Sequence, residues 1–273
     1  MMLVLILVSL CIFYVFLICP RLHKRNIDVF LQVDYAHRGL WSKDIPENSL
    51  PAFAAAADAG YGIELDVQLT KDHQLAVIHD ADLFRMCGRQ VDIHELTLKE
   101  AQKEYLLGTE YTIPSLEDVL RLVDGRVPLI IEVKSCSEIR TLCEKTAELL
   151  DHYQGPFCIE SFHPLAVRWF RFRRPAWIRG QLAYGLKNRK YHKSPINILL
   201  STLISNAAGR PDFIAFDVET EQCISFQLIR KLFHPWTVGW TVKSSDQLRM
   251  LRDRYDLLIF EGFRPNGKPD MKS

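Results

Sequence analysis

The chain has 273 residues, 48% of them apolar, enough to bury one large α/β core or two smaller ones. A formal net charge of +1 at pH 7 gives no global field for a polyanion, so no nucleic-acid partner is expected. The seven cysteines are scattered without CxxC pairing, which excludes a zinc-ribbon pattern and a disulfide framework and suits a reducing compartment.

The N-terminal stretch from Leu3 to Cys19 is uncharged and apolar apart from Ser9 and Tyr14; Pro20 breaks it, and Arg21, His23, Lys24 and Arg25 follow. With the two methionines before it, this stretch is just long enough to cross a bilayer as a helix. It lacks the basic n-region and small-residue cleavage site of a secretory signal. The basic flank lies after the apolar run, which puts the larger C-terminal part in the cytoplasm. The expected organisation is a single-pass transmembrane anchor over 1–20, a basic linker over 21–31 and one domain over 32–273.

Extended runs are then predicted at 33–37, 62–70, 74–79, 128–134, 157–162, 178–184, 213–218, 237–242 and 257–262. Helical patterns lie between most of them, at 49–59, 115–123, 137–153, 164–171, 196–207, 225–233 and 244–254. Ser115 with Asp118 three residues on makes a capping box for one of these helices. Alternating strands and helices predict a parallel sheet, as a (β/α)8 barrel or a doubly wound sheet. No GxGxxG follows the first strand, and the polar residues end several different strands, so the TIM barrel is expected. The link at 70–73 is too short for a parallel crossover, so its flanks form either a hairpin-like pair or a distorted part of an irregular barrel. Residues 81–113 form a small insertion with a short helix at 97–105.

The chemistry sits on the strand ends. Glu64 and Asp66 are two apart and share a strand face; two like charges there suit a divalent cation with oxygen ligands, Mg²⁺ or Ca²⁺. Glu132 and Lys134 repeat the spacing with opposite charges. His37 and His79 each end an apolar run and fit an acid–base pair. Arg38 follows His37 with a guanidinium fork suited to phosphate, and Gly39 permits close backbone approach. Pro46-Glu47-Asn48 opens a helix with Asn48 or Ser49 as cap. Each feature alone also fits a solvated strand face, a structural ion pair or a helix cap.

In order and spacing, HRG (37–39), PEN (46–48), E-x-D (64–66), HD (79–80) and E-x-K (132–134) resemble the glycerophosphodiester phosphodiesterase family, a phospholipase C-like barrel. Glu160-Ser161-Phe162 and Trp240-Thr241-Val242 extend the likeness over about 34–265. The resemblance implies a metal-dependent (β/α)8 barrel that hydrolyses glycerophosphodiesters to sn-glycerol 3-phosphate and an alcohol. It implies Glu64, Asp66 and Glu132 as metal ligands, and His37 and His79 as acid and base. Arg38 and Lys134 would hold phosphate, Phe162 and Trp240 the glycerol or leaving-group side, and Glu47 would order the site from outside. Lys243 stands where the family pattern has asparagine, and Phe260-Glu261 where it has T-D, with Glu261 as the replacement acid. Two rivals stand beside this reading: a lysophospholipase D acting on membrane lysolipids, and a silent barrel that binds phospholipid headgroups. Arg168, Arg171, Arg173 and Arg174 among aromatics, and a basic stretch at 187–193, mark a surface that could meet anionic lipid.

Overall fold

Parallel strands covered on both faces are written as nearly unbroken apolar runs, and this chain has several, Leu129-Ile130-Ile131 and Phe213-Ile214-Ala215-Phe216 among them. In the computed structural model, which describes residues 1–186 and 195–265, such runs form β1 (Tyr35–His37), β2 (Gly62–Leu69), β3 (Leu75–Val77), β4 (Leu129–Val133), β5 (Phe157–Ser161), β6 (Arg179–Ala183), β7 (Phe213–Asp217), β8 (Trp236–Val242) and β9 (Leu257–Phe260). All but β3 pair in parallel around a closed ring of eight, with β1 hydrogen-bonded to both β2 and β9. The expected (β/α)8 barrel is therefore present. β3 lies outside the ring as the antiparallel partner of β2, pairing Val67 with Val77, so of the two expected alternatives the hairpin is the one that forms.

Around the ring lie α1 (Met2–Ile18), α2 (Asp28–Leu31), α3 (Leu50–Asp58), α4 (Phe84–Cys87), α5 (Leu98–Ala101), α6 (Leu116–Val123), α7 (Ile139–Leu150), α8 (Pro164–Arg173), α9 (Pro195–Ser201), α10 (Asn206–Gly209), α11 (Ile224–Phe233) and α12 (Ser245–Leu251). The capping box of α6 forms as its sequence demands: Asp118 N donates to Ser115 Oγ at 3.1 Å and Ser115 Oγ to Asp118 Oδ2 at 2.6 Å. The helix predicted over 196–207 is broken into α9 and α10, where Leu203 takes a positive φ of 58°. That predicted over 97–105 shortens to α5. The insertion at 81–113 carries its own small core, including Ile78, Leu83, Met86, Ile93, Leu106 and Ile113.

The period of two along each strand sorts side chains between two cores. One parity faces the helices, burying Ile63, Leu65, Ile131, Ile159 and Phe216 against Phe53, Val119, Leu142 and Phe226. The other faces the barrel axis. Its lower part is apolar, with Tyr35, Ile130, Cys158, Phe213, Ala215, Val238 and Ile259. Gly180 belongs to this layer, and its lack of a Cβ is required because the Phe213 ring occupies that space, 2.0 Å from where one would lie. Continuing upward with the same parity come His37, Glu64 and Asp66, Glu132 and Lys134, Glu160 and Phe162, Asp217, Trp240 and Glu261. An apolar floor thus supports a polar mouth at the C-terminal strand ends.

Two expectations for the N-terminus need correction. Residues 27–31 are no loose linker: Ile27 and Phe30 are buried in the lower barrel core, and Tyr35 donates its hydroxyl to Phe30 O, so α2 plugs the barrel floor. The apolar N-terminal run is helical, but α1 has 17 residues and rises about 25 Å, short of a hydrocarbon core of about 30 Å. Among the described residues no helix is long and apolar enough to cross a membrane, so the bilayer-spanning anchor is not supported. The end of α1 is instead fastened to the barrel. Asn206 Nδ2 donates to Ile18 O at 2.9 Å and Arg210 Nη1 to Phe16 O at 2.8 Å, satisfying carbonyls that a helix end leaves open. The basic stretch at 187–193 lies outside the described residues.

Candidate active site

The three acids Glu64, Asp66 and Glu132 come together at the mouth because β2 and β4 are neighbours in register, Asp66 beside Glu132. All three are buried, and each offers a carboxylate oxygen within 4.8 Å of the others. Burial, and then the charges of Asp66, Glu132 and Glu160, push the Glu64 carboxyl well above its ordinary range. Burial likewise raises Glu132, against the pull of Lys134. Asp66 goes the other way: burial opposes its charge, but Lys134, Arg38 and His79 together hold it well below the usual range.

The cations are close enough to explain this. Lys134 Nζ lies 2.9 Å from Glu132 Oε1 and 3.2 Å from Asp66 Oδ1. Arg38 Nε lies 3.3 Å from Asp66 Oδ2, and its Nη1 donates to Glu47 Oε1 at 2.7 Å. Glu47 also accepts from Arg85 Nη2 at 2.7 Å, which places it outside the acid cluster as an anchor for Arg38. Asn48 serves Asp66 rather than the helix: its Nδ2 donates to Asp66 Oδ2 at 2.8 Å, and Ser49 is the cap of α3. Gly39 also has a structural reason. At φ +84° it passes so near α3 that a Cβ would lie 2.9 Å from the Ala52 backbone, so the close approach is to the helix.

Each histidine is held by its own carboxylate. His37 Nδ1 lies 2.6 Å from Glu261 Oε2, leaving Nε2 toward the acids, 3.9 Å from Glu64 Oε2. His79 Nδ1 lies 2.7 Å from Asp80 Oδ1, and Asp80 is held in turn by Arg85. Burial, then Arg38, lowers the pKa of His37 despite the support of Glu261. Burial lowers His79 as well, with Asp66 opposing and Lys134 and Arg38 assisting.

These groups open on one cavity of about 340 Å³ lined by His37, Arg38, Glu64, His79, Glu132 and Glu160, with Phe162 and Trp240 on its far wall. The two aromatic rings meet edge-on at 5.6 Å. Lys134 and Asp66 sit immediately beneath, so every predicted site residue is brought to this mouth or to its supporting shell. Sequence reasoning gave no part to Arg85, which bridges Glu47 and Asp80 from the insertion, or to the interior Glu160. Parity with Phe162 was the available signal for Glu160; Arg85 had none.

The donor set fits a hard divalent cation. Oxygen ligands suit Mg²⁺ or Ca²⁺, Asp66 Oδ1 makes no hydrogen bond, and the buried carboxyls Glu64, Asp66, Glu132 and Glu160 outnumber the neighbouring Arg38 and Lys134. Fold and site together define a (β/α)8 barrel that gathers two histidines, a cluster of acids and two cations at its mouth.

Comparison with known proteins agrees. The profile of the glycerophosphoryl diester phosphodiesterase family matches residues 37–194. A glycerophosphodiester phosphodiesterase of Bacillus altitudinis is 38% identical over 153 residues, covering 52% of this chain and 62% of its own. A lysophospholipase D of Rattus norvegicus is 32% identical over 147 residues, covering 49% of this chain and 45% of its own. The matched stretches thus span less than two thirds of these relatives. Among solved structures, an Oleispira antarctica phosphodiesterase in complex with the product sn-glycerol-3-phosphate superposes with a TM-score of 0.69 at 20% identity, over 85% of this chain and 93% of that one. The likeness in structure is one of fold. The chain belongs to the glycerophosphoryl diester phosphodiesterase family.

Proposed function

We propose that this chain hydrolyses glycerophosphodiesters to sn-glycerol 3-phosphate and an alcohol, with His37 and His79 as the acid–base pair. The observation that carries the reading is the convergence of two carboxylate-held histidines on a cavity floored by acids and cations. Glu64, Asp66 and Glu132 would hold one Mg²⁺ or Ca²⁺ ion, which when bound supplies positive charge against the charge that grows on the phosphoryl oxygens. Arg38 lines the same space and Lys134 lies against the acids beside it, and the two would orient the phosphate. Glu261 and Asp80 fix the histidine rings through Nδ1, so that Nε2 is the atom that gives or takes a proton. Phe162 and Trp240 pack against the organic half of the substrate and exclude water from it. The first test is release of glycerol 3-phosphate by the full chain from glycerophosphocholine and glycerophosphoglycerol with Mg²⁺ or Ca²⁺. Turnover should vanish in EDTA and return with the ion; turnover indifferent to chelation sinks the cation's part.

A second reading, hydrolysis of lysolipids in the manner of a lysophospholipase D, is favoured by the Rattus norvegicus relative and by α1. That helix exposes Leu3, Leu7, Leu10, Phe13 and Phe16, and Arg210 stacks over Phe16 near its end. Arg171 and Arg168 flank the exposed Phe172. Such a surface would rest against the anionic leaflet on the cytoplasmic side, bringing lipid substrates near. The full chain should therefore bind phosphatidylserine vesicles at low salt and release them at high salt, and deletion of 1–20 should weaken binding at least tenfold. Equal binding without 1–20 removes the helix from this role. Hydrolysis confined to lysophosphatidylcholine in the first assay would favour this second reading.

A further inference from the structure

Five arginines meet at the end of the barrel opposite the mouth, where the N-terminal segment joins it. Arg179 opens β6 and Asp212 stands directly before β7, so both lie at the N-terminal strand ends. Around Asp212 gather Arg179 Nη1 at 3.5 Å, Arg25 Nε at 3.4 Å and Arg21 Nη1 at 3.6 Å. Arg171 on α8 and Arg210 after α10 complete the group. Arg171 donates to Ala208 O at 3.1 Å, and Arg210 to Phe16 O near the end of α1. Among the described residues Asp212 is the only carboxylate paired with any of the five.

Carbonyls occupy several of these donors. Arg179 Nε donates to Gly209 O and its Nη2 to Arg210 O, both at 3.1 Å, and Arg25 donates to the carbonyls of Pro175 and Ala176. A carbonyl is neutral, however, and leaves the charge uncancelled. Arg179 is 2% exposed, and its Nη1 is sealed from solvent without a hydrogen bond; Asp212 Oδ1 is in the same state. The arginines also act on one another. Burial lowers Arg179 to about 10 against the pull of Asp212, and Arg21, Arg25 and Arg171 add to the fall. Burial, then Arg210, Arg168 and Arg21, lower Arg171. Five guanidinium groups against one carboxylate leave four positive charges in excess, each on a fork that matches phosphate oxygens. Arg21, Arg25, Arg171 and Arg210 are half-buried, so the group is open to an incoming ion.

We propose that Arg21, Arg25, Arg171, Arg179 and Arg210 form a second anion site, which takes a phosphoryl dianion and ties the N-terminal segment to the barrel floor. Arg21 and Arg25 come from the segment after α1, and the other three from α8, β6 and the turn before β7, so an ion between them bridges the two parts. The site lies at the far end of the strands from His37 and His79 and owes nothing to the catalytic reading. The dianion has two sources, free phosphate in solution and the monoester headgroup of a lipid such as phosphatidic acid. Both present the same oxygens.

The test titrates inorganic phosphate into the full chain in EDTA by calorimetry, at constant ionic strength. Without a cation the buried carboxyls of the mouth outnumber Arg38 and Lys134 and repel phosphate, so the heat reports the arginine group. Arg21→Gln combined with Arg171→Gln should weaken binding by about tenfold or more, as the loss of two charge-assisted contacts requires. Arg121→Gln combined with Arg249→Gln removes the same charge from exposed positions elsewhere and should change binding by less than about twofold. If the first pair does not fold, Arg21→Gln decides with a loss of about threefold or more, since that side chain makes no hydrogen bond among the described residues. Vesicles carrying phosphatidic acid or, at equal charge, phosphatidylserine supply the second arm. Preference for phosphatidic acid that the first pair abolishes upholds the site with a headgroup as its occupant. Binding of free phosphate with no preference between the vesicles upholds it with a soluble anion. Binding of neither probe, an affinity unchanged in the first pair, or equal weakening in the control pair would overturn the proposal.

Discussion

Alanine at His37 or at His79 is expected to lower kcat/KM on glycerophosphodiesters by about 10²–10⁴-fold, the usual worth of a positioned general acid or base. Glycerol phosphate binding should change little, because the proposed holders of the anion are Arg38 and Lys134. Wild-type activity should trace a bell against pH, since one imidazole must start neutral and the other protonated. The two orienting carboxylates allow the limbs to be assigned. Glu261 supports the protonated form of His37, so Glu261→Gln lets the His37 pKa fall further, and the limb that His37 governs moves to lower pH. Asp80→Asn should do the same for His79. If the acid limb moves, that histidine is the base; if the alkaline limb moves, it is the acid. Bells that stay fixed in both variants, or full activity in either alanine variant, would refute the assignment.

Asp66→Ala is expected to destabilise the chain by about 3 kcal/mol, a value typical of removing one partner from a buried ion pair. The carboxylate faces both Lys134 and Arg38, and accepts from Asn48. Glu64→Gln should have the opposite sign and raise the melting temperature of the cation-free chain. The physical reason is linkage. Asp66, with a depressed pKa, stabilises the fold above its unfolded value near 4, and that stability fades as pH falls through its folded value. Glu64, with a raised pKa, favours folding fully only below its unfolded value, and its contribution is lost as pH rises. At neutral pH it is therefore a cost retained for function, and Glu64→Gln should also weaken Mg²⁺ or Ca²⁺ binding. Chemical denaturation of both variants in EDTA checks the signs. A stabilised Asp66→Ala chain would mean that Arg38 and Lys134 do not depend on it.

All five motifs that suggested the site converge on one mouth, including Glu47 and Asn48, which alone read as no more than the opening of a helix. Their roles, though, were exchanged in part. Asn48 reads in sequence as a cap, and only the approach of β2 to the loop before α3 makes it the clasp of Asp66. Gly39 reads as room for a ligand, and the neighbour it accommodates is α3. Arg85 was invisible because an arginine in an insertion looks like any solvated charge until the fold lays it between Glu47 and Asp80.

What the sequence determined by itself is local and periodic. Alternation of strand and helix sets the barrel, and the period of two along each strand puts Glu64 with Asp66, Glu132 with Lys134, and Glu160 with Phe162 on common faces. Which face looks inward, and which strand stands beside which, is decided by ring closure, since pairing β1 with both β2 and β9 fixes the register of residues up to 224 positions apart. The same closure turned 27–31 from linker to plug, because an open barrel floor exposes apolar surface that Ile27 and Phe30 can cover. It also left α1 fastened at its end but exposed along its length, a balance of carbonyl capping and apolar surface that hydrophobicity read along the chain does not contain.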